Sequence, residues 1–136
     1  IAVGAAAGLG YGDNTRASLI TRGLAEITRL GVALGAETST FAGLAGMGDL
    51  VATCASPLSR NFRLGKALGE GQSLEEARAS VGQTAEGVPT ARAVAELAER
   101  SQLDLPITRA LVDVVDRGRN IAEVTSALLS RSVRFE

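Results

Sequence analysis

The chain has 136 residues with 14 basic and 15 acidic side chains, a formal net charge of −1 and 46% hydrophobic content, which suits one domain with one core and excludes a disordered polar segment. Balanced charge without a basic block or an aromatic series argues against nucleic acid as the main partner, though not against a local anion, and no apolar run approaches the roughly 20 residues of a membrane span. The absence of histidine excludes imidazole bases and histidine metal ligands, while a single cysteine, Cys54, can form neither an intrachain disulfide nor a zinc cluster and suits a reducing cytoplasm. Starting at Ile1 with neither methionine nor a basic leader, the chain reads as part of something longer.

Abundant alanine and glycine, few β-branched alternating runs, and apolar spacings of three and four predict an all-α domain over residues 1–136. The longest helix is expected after an Asp13-Asn14 cap and reaches about Leu34, with Ala17, Ile20, Leu24, Ile27 and Leu34 inward and Arg22, Glu26 and Arg29 on the opposite face. Gly35 supplies its stop. A short helix is expected from Thr38 to Leu44, then a Gly46-Met47-Gly48 turn, then the ambiguous Asp49–Cys54 stretch and a break at Ser56-Pro57.

Ser59 caps the next expected helix, Arg60 to Leu68, and Ser73 with Glu76 forms a capping box for one ending at Gly82. Three more follow, about Pro89 to Ser101, Pro106 to Arg117 and Ile121 to Arg131, each joined to the next by a short hairpin loop. Their inward stripes are Ala91, Val94 and Ala98; Ile107, Leu111 and Val114; and Ile121, Val124 and Leu128.

Gly8, Gly10 and Gly12 imitate a dinucleotide loop, but without a preceding strand or any alternating strand-helix unit they read as an interhelical turn. Ser59-Arg60-Asn61 at a helix start offers backbone N–H groups, a guanidinium fork and an amide, a set suited to a phosphate monoester, although taken by itself a capped surface helix is the better reading. Asp49, between two glycines' turn and an apolar run, fits either a half-buried carboxylate that orients a cation or a helix cap, and composition favours the cap. Glu86, before Gly87, reads locally as a solvated loop acid.

Taken together, Gly12-Asp13-Asn14-Thr15-Arg16-Ala17, Leu19-Ile20-Thr21-Arg22-Gly23, Gly43-Leu44-Ala45-Gly46-Met47-Gly48-Asp49-Leu50, Thr53-Cys54, Ser59-Arg60-Asn61 and Pro106-Ile107-Thr108 closely resemble the bacterial NAD(P)-dependent glycerol-3-phosphate dehydrogenases over nearly the whole chain. What matches is their C-terminal substrate domain, whose fold resembles the C-terminal domain of the 6-phosphogluconate dehydrogenase-like superfamily. The resemblance implies a cytoplasmic oxidoreductase that interconverts dihydroxyacetone phosphate and glycerol 3-phosphate with NAD or NADP. It also implies a Rossmann domain upstream, absent from this chain, which would bind most of the cofactor.

By the same resemblance, the catalytic lysine belongs a few positions before Ile1 and is not replaced by Lys66. Asp49 takes the place of the aspartate that orients the substrate and that lysine, Ser59, Arg60 and Asn61 take the places of the phosphate ligands, and Thr53 is a further substrate candidate. Arg60, Glu86 and Thr84 are implied at the cofactor, the last two through Gln83-Thr84-Ala85-Glu86-Gly87; no residue is implied at a metal. The isolated chain is expected to be inactive, and a homodimer is compatible with the apolar surface left by a severed domain. Two alternatives stand beside this reading: a non-catalytic helical anion-binding or interaction module, and the substrate domain of a related two-domain dehydrogenase.

Overall fold

A computed structural model describes residues 1–82 and 85–131. Among the described residues the architecture is helical throughout: α1 (Ala2–Gly8), α2 (Asp13–Ala33), α3 (Thr38–Ala42), a wide π-helical turn (Leu44–Gly48), α4 (Asp49–Ala55), α5 (Arg60–Gly69), α6 (Leu74–Val81), α7 (Gly87–Arg100), α8 (Pro106–Arg117) and α9 (Ile121–Ser130).

The centre is the pair α1 and α5, which run side by side in the same direction. Gly4-x-x-x-Gly8 on one helix meets Gly65-x-x-x-Gly69 on the other, and a Cβ on any of the four would overlap a backbone carbonyl, of Phe62, Lys66, Ile1 and Ala5 respectively. Glycine in a helix interior costs about 1 kcal/mol relative to alanine, so its value here is the close approach of two backbones. Around this pair lie two apolar clusters. Leu64, Leu68, Ala77, Val81 and Val88 join α5, α6 and the start of α7, while Val3, Ala6, Leu19 and Leu128 join α1, α2 and α9.

Local signals read from the sequence set most helix ends. Ser73 and Glu76 form the expected capping box, and Gly82 ends α6 at φ 69°. Pro106 opens α8, and Gly118 closes it in the left-handed region. Gly10, at φ 82°, makes the interhelical turn between α1 and α2. The stripes expected on α7 to α9 face inward, with Ala91, Ala98, Val124 and Leu128 buried.

Three expectations are corrected. Gly12, not the Asp13-Asn14 pair, stands at the N-cap of α2 without a side-chain cap, and Asp13 instead pairs with Arg16 at 2.9 Å inside the first turn. The Gly46-Met47-Gly48 stretch is helical rather than a turn, because Gly46 lies so close on Phe41 that only a glycine backbone fits, and the widened coil runs straight into α4.

The third correction concerns α2. Ala17, Ile27 and Leu34 of the predicted inward stripe are exposed, whereas Glu26 of the predicted outer face is only 5% exposed. The cause is nonlocal. Arg22 donates to the carbonyls of Leu128, Leu129 and Arg131 at the end of α9, Glu26 accepts from the first turn of α8, and Arg29 donates to the Asp104 carbonyl at 2.8 Å. One charged face of α2 therefore satisfies orphan backbone groups at the ends of other helices.

Candidate functional site

Beside α1 a cleft of about 320 Å³ opens between α2, α4, α7 and α8. Most of its wall is apolar, with Ile20, Ile27, Leu30, Val94 and Leu111 along it, and its polar side chains are Glu26, Thr53, Asn61, Thr90 and Thr108. The first residues of α1, α5, α7 and α8 all reach it. Helix N-termini carry partial positive charge, so their convergence favours an anion there. Glu26 already neutralises the start of α8, leaving α5 and α7 as the long helices whose N-termini no carboxylate caps.

The start of α5 follows from its residues. Ser59 is extended and its hydroxyl accepts from Phe62 N–H at 3.3 Å, so the cap reading of this serine holds. The N–H groups of Arg60 and Asn61 precede the first intrahelical bond and have no partner within α5. Arg60 is exposed and makes no ion pair or hydrogen bond to the described residues. Asn61 is half-buried, and its Oδ1 accepts from Gly87 N–H at 3.0 Å, which leaves the amide NH2 as its free donor. That bond ties α5 to α7. A Cβ on Gly87 would lie 2.5 Å from Asn61 Oδ1, so a side chain there would push aside the amide that joins the two helix starts.

Helix α4 begins with Asp49 and carries Thr53 one turn on. Thr53 faces the cleft with Leu50 and Cys54. Asp49 is exposed, makes no side-chain cap and has no partner among the described residues, which corrects both the half-buried and the cap readings. Glu86 is exposed at the N-cap position of α7 without capping it, as a solvated acid should be. Thr84 lies outside the described residues.

The structure thus brings Thr53 and Asn61 into the lining of one cleft, with Ser59 and Arg60 directly before Asn61, Glu86 directly before Gly87, and Asp49 one turn before Thr53 on α4. Cys54 and Glu26 also line it, although neither was selected from sequence as a site residue. From sequence Cys54 is only a lone thiol and part of a motif, and the glutamate gives no local signal. Burial pushes the Cys54 thiol above its ordinary range, which favours its neutral form. No cluster of metal-ligating side chains occurs among the described residues, and none of their helices is long and apolar enough to cross a membrane.

The model of a family described as "NAD-dependent glycerol-3-phosphate dehydrogenase C-terminus" matches residues 1–126. The chain belongs to this family. It is 55% identical to a glycerol-3-phosphate dehydrogenase [NAD(P)+] from Corynebacterium diphtheriae and 56% identical to one from Streptomyces coelicolor, in each case over all of this chain and 41% or 40% of the relative. A crystal structure of glycerol-3-phosphate dehydrogenase from Coxiella burnetii superposes with a TM-score of 0.93 at 41% identity, covering 96% of this chain and 40% of the other. The chain spans about two fifths of the length of the relatives it matches. Within the glycerol-3-phosphate dehydrogenase family, it corresponds to the helical C-terminal part.

Proposed function

We propose that residues 1–136 are the substrate domain of a cytoplasmic glycerol-3-phosphate dehydrogenase that interconverts dihydroxyacetone phosphate and glycerol 3-phosphate with NAD(P)H, the nucleotide resting mainly on a Rossmann domain outside this chain. The observation that carries the reading is the start of α5, where Arg60 stands unpartnered beside an Asn61 whose oxygen is engaged and whose NH2 is free, at a cleft reached by several helix N-termini.

Those groups suit a phosphate dianion: two first-turn N–H groups, a planar guanidinium and an amide donor, with the Ser59 hydroxyl beside them. Anchoring the phosphate there holds the carbonyl carbon at a fixed place along the cleft, so binding energy at one end of the substrate becomes orientation at the other. Thr53 supplies a hydroxyl to the same cleft. Asp49, exposed and free of protein partners, is placed to hold a cationic proton donor contributed from before Ile1 in its charged form. Arg60 and Glu86 are exposed at adjacent helix starts and fit contact with a nucleotide brought by another domain; we assign them, with Thr84, to the cofactor. Bound NAD(P)H would supply the hydride.

Exposed Leu34, Leu44 and Leu58 are apolar surface suited to the absent domain or to a second copy in a homodimer.

The test uses Arg60→Lys in the full-length protein, which keeps charge but loses the fork. Losing one charge-assisted bond costs on the order of 1.5–3 kcal/mol, about ten- to hundredfold in kcat/KM for dihydroxyacetone phosphate. Dihydroxyacetone, which lacks the phosphate, should respond much less. Equal losses on both substrates would remove Arg60 from the phosphate site, and a wild type that reduces a different phosphorylated or carboxylated ketone, or none, would replace this reading with one of the alternatives.

A further inference from the structure

We propose that Glu26 is a positioning residue for the reaction, fixing the first turn of α8 as one wall of the cleft. The inference rests on the functional reading above for its kinetic consequence and on geometry for the clamp itself. Glu26 lies on α2, 81 and 82 residues before its partners. Its Oε1 accepts from Ile107 N–H, and its Oε2 accepts from the N–H and the hydroxyl of Thr108, each at 3.2 Å. One carboxylate thus holds two consecutive free N–H groups at the positive end of a 12-residue helix, the arrangement that fixes a helix start most rigidly.

The held residues are part of the site. Glu26, Ile107, Thr108 and Leu111 line the same cleft as Asn61 and Thr53. No residue of α8 is fully buried, so apolar packing on every side does not fix its place. At this end it is anchored by the buried Leu105 just before it, the proline start and the carboxylate, and of these only the carboxylate holds the backbone N–H groups of the first turn. A shift of α8 would widen the cleft opposite the phosphate-binding residues while leaving those residues untouched.

That separation gives the test. In the full-length protein, Glu26→Gln keeps the side chain's shape but turns an NH2 towards a backbone N–H. Amide exchange at Ile107 and Thr108 should accelerate roughly tenfold, as loss of one charge-assisted bond requires. Alkylation of Cys54, on the same cleft, by a small maleimide should quicken in parallel. The kcat on dihydroxyacetone phosphate should fall on the order of tenfold or more, with KM moving less than about threefold, because misplacement of a wall costs orientation rather than phosphate binding.

Arg22→Lys is the control, since it weakens the tie to α9 and not to α8; it should leave exchange at Ile107, Cys54 labelling and kcat near wild type. If Glu26→Gln fails to fold, Thr108→Val removes only the hydroxyl bond and should give the same pattern at smaller size. Unchanged kcat in a folded Glu26→Gln protein, or equal effects of Glu26→Gln and Arg22→Lys, would overturn the proposal. A wild type inactive on phosphorylated ketones would instead remove the functional reading, while exchange and labelling would still decide whether the clamp exists.

Discussion

The α1–α5 pair and the segment from Thr38 to Leu58 are built on opposite terms. In the first, four glycines let two helices touch backbone to backbone, and Val3, Ala5, Ala6, Leu64, Ala67 and Leu68 are all buried. In the second, α3, the π-helical turn and α4 contain no buried residue, and Leu44 and Leu58 are 90% and 82% exposed. Yet both carry candidate site residues, Arg60 and Asn61 on α5 and Asp49 and Thr53 on α4. The proposed phosphate ligands on α5 therefore stand on a rigid base, whereas Asp49 and Thr53 sit on an element with little holding it. On the proposed reading, rigidity would lie where the substrate is anchored and freedom where another domain meets it.

The largest effect should come from breaking the rigid side. Gly65→Ala would force a methyl group into the Ile1 carbonyl, with backbone on both sides and nothing flexible to yield. It should destabilise the fold by more than about 4 kcal/mol, and urea unfolding, or simple failure to express in soluble form, would register it.

Between the extremes lies the contact of α2 with α8, which titrates. Desolvation raises the Glu26 pKa above its ordinary value, outweighing the N–H groups of Ile107 and Thr108, the Thr108 hydroxyl and the charge of Arg29. The folded chain therefore takes up this proton at a higher pH than the unfolded chain does. Glu26's contribution to stability is complete below the ordinary glutamate pKa and is lost as pH rises through the higher folded value. Urea unfolding at a series of pH values should show the wild type losing ground to Glu26→Gln across that interval. A difference that stays flat, or moves the other way, would mean that the hydrogen bonds outweigh the burial.

The smallest effects belong to the loose segment. A Cβ at Gly43 meets nothing nearer than the Thr40 carbonyl at 3.7 Å, and the backbone there is extended. Gly43→Ala and Leu44→Ser should each change stability by less than about 0.5 kcal/mol. If either approached the Gly65 value, the two regions would not differ as described.

The same contrast explains what could be read from residues alone. The capping box at Ser73, the prolines at 89 and 106, the stops at Gly82 and Gly118 and the Ser59 cap are local devices, and each acts as its sequence neighbourhood says. The face that α2 buries was misread because periodicity marks a stripe but not its partner. Arg22 and Glu26 find theirs more than 80 residues away, and those partners are backbone atoms that carry no sequence signal. At the site, Ser59, Arg60 and Asn61 declare themselves as a helix start. Cys54, Gly87 and Glu26 reach the cleft only through packing, and Asp49's exposure depends on how little surrounds α4.

The glycine contacts have one more consequence. Ile1 rests its carbonyl on Gly65, one turn past the Arg60-Asn61 pair, and side chains contribute nothing to that spacing. Residues elsewhere in the core can exchange volume over generations and shift their neighbours by fractions of an ångström, but backbone set directly on backbone has no such play. Anything carried at the start of α1 is registered against the start of α5 as by a machinist's jig, with a tolerance that substitutions around it do not erode.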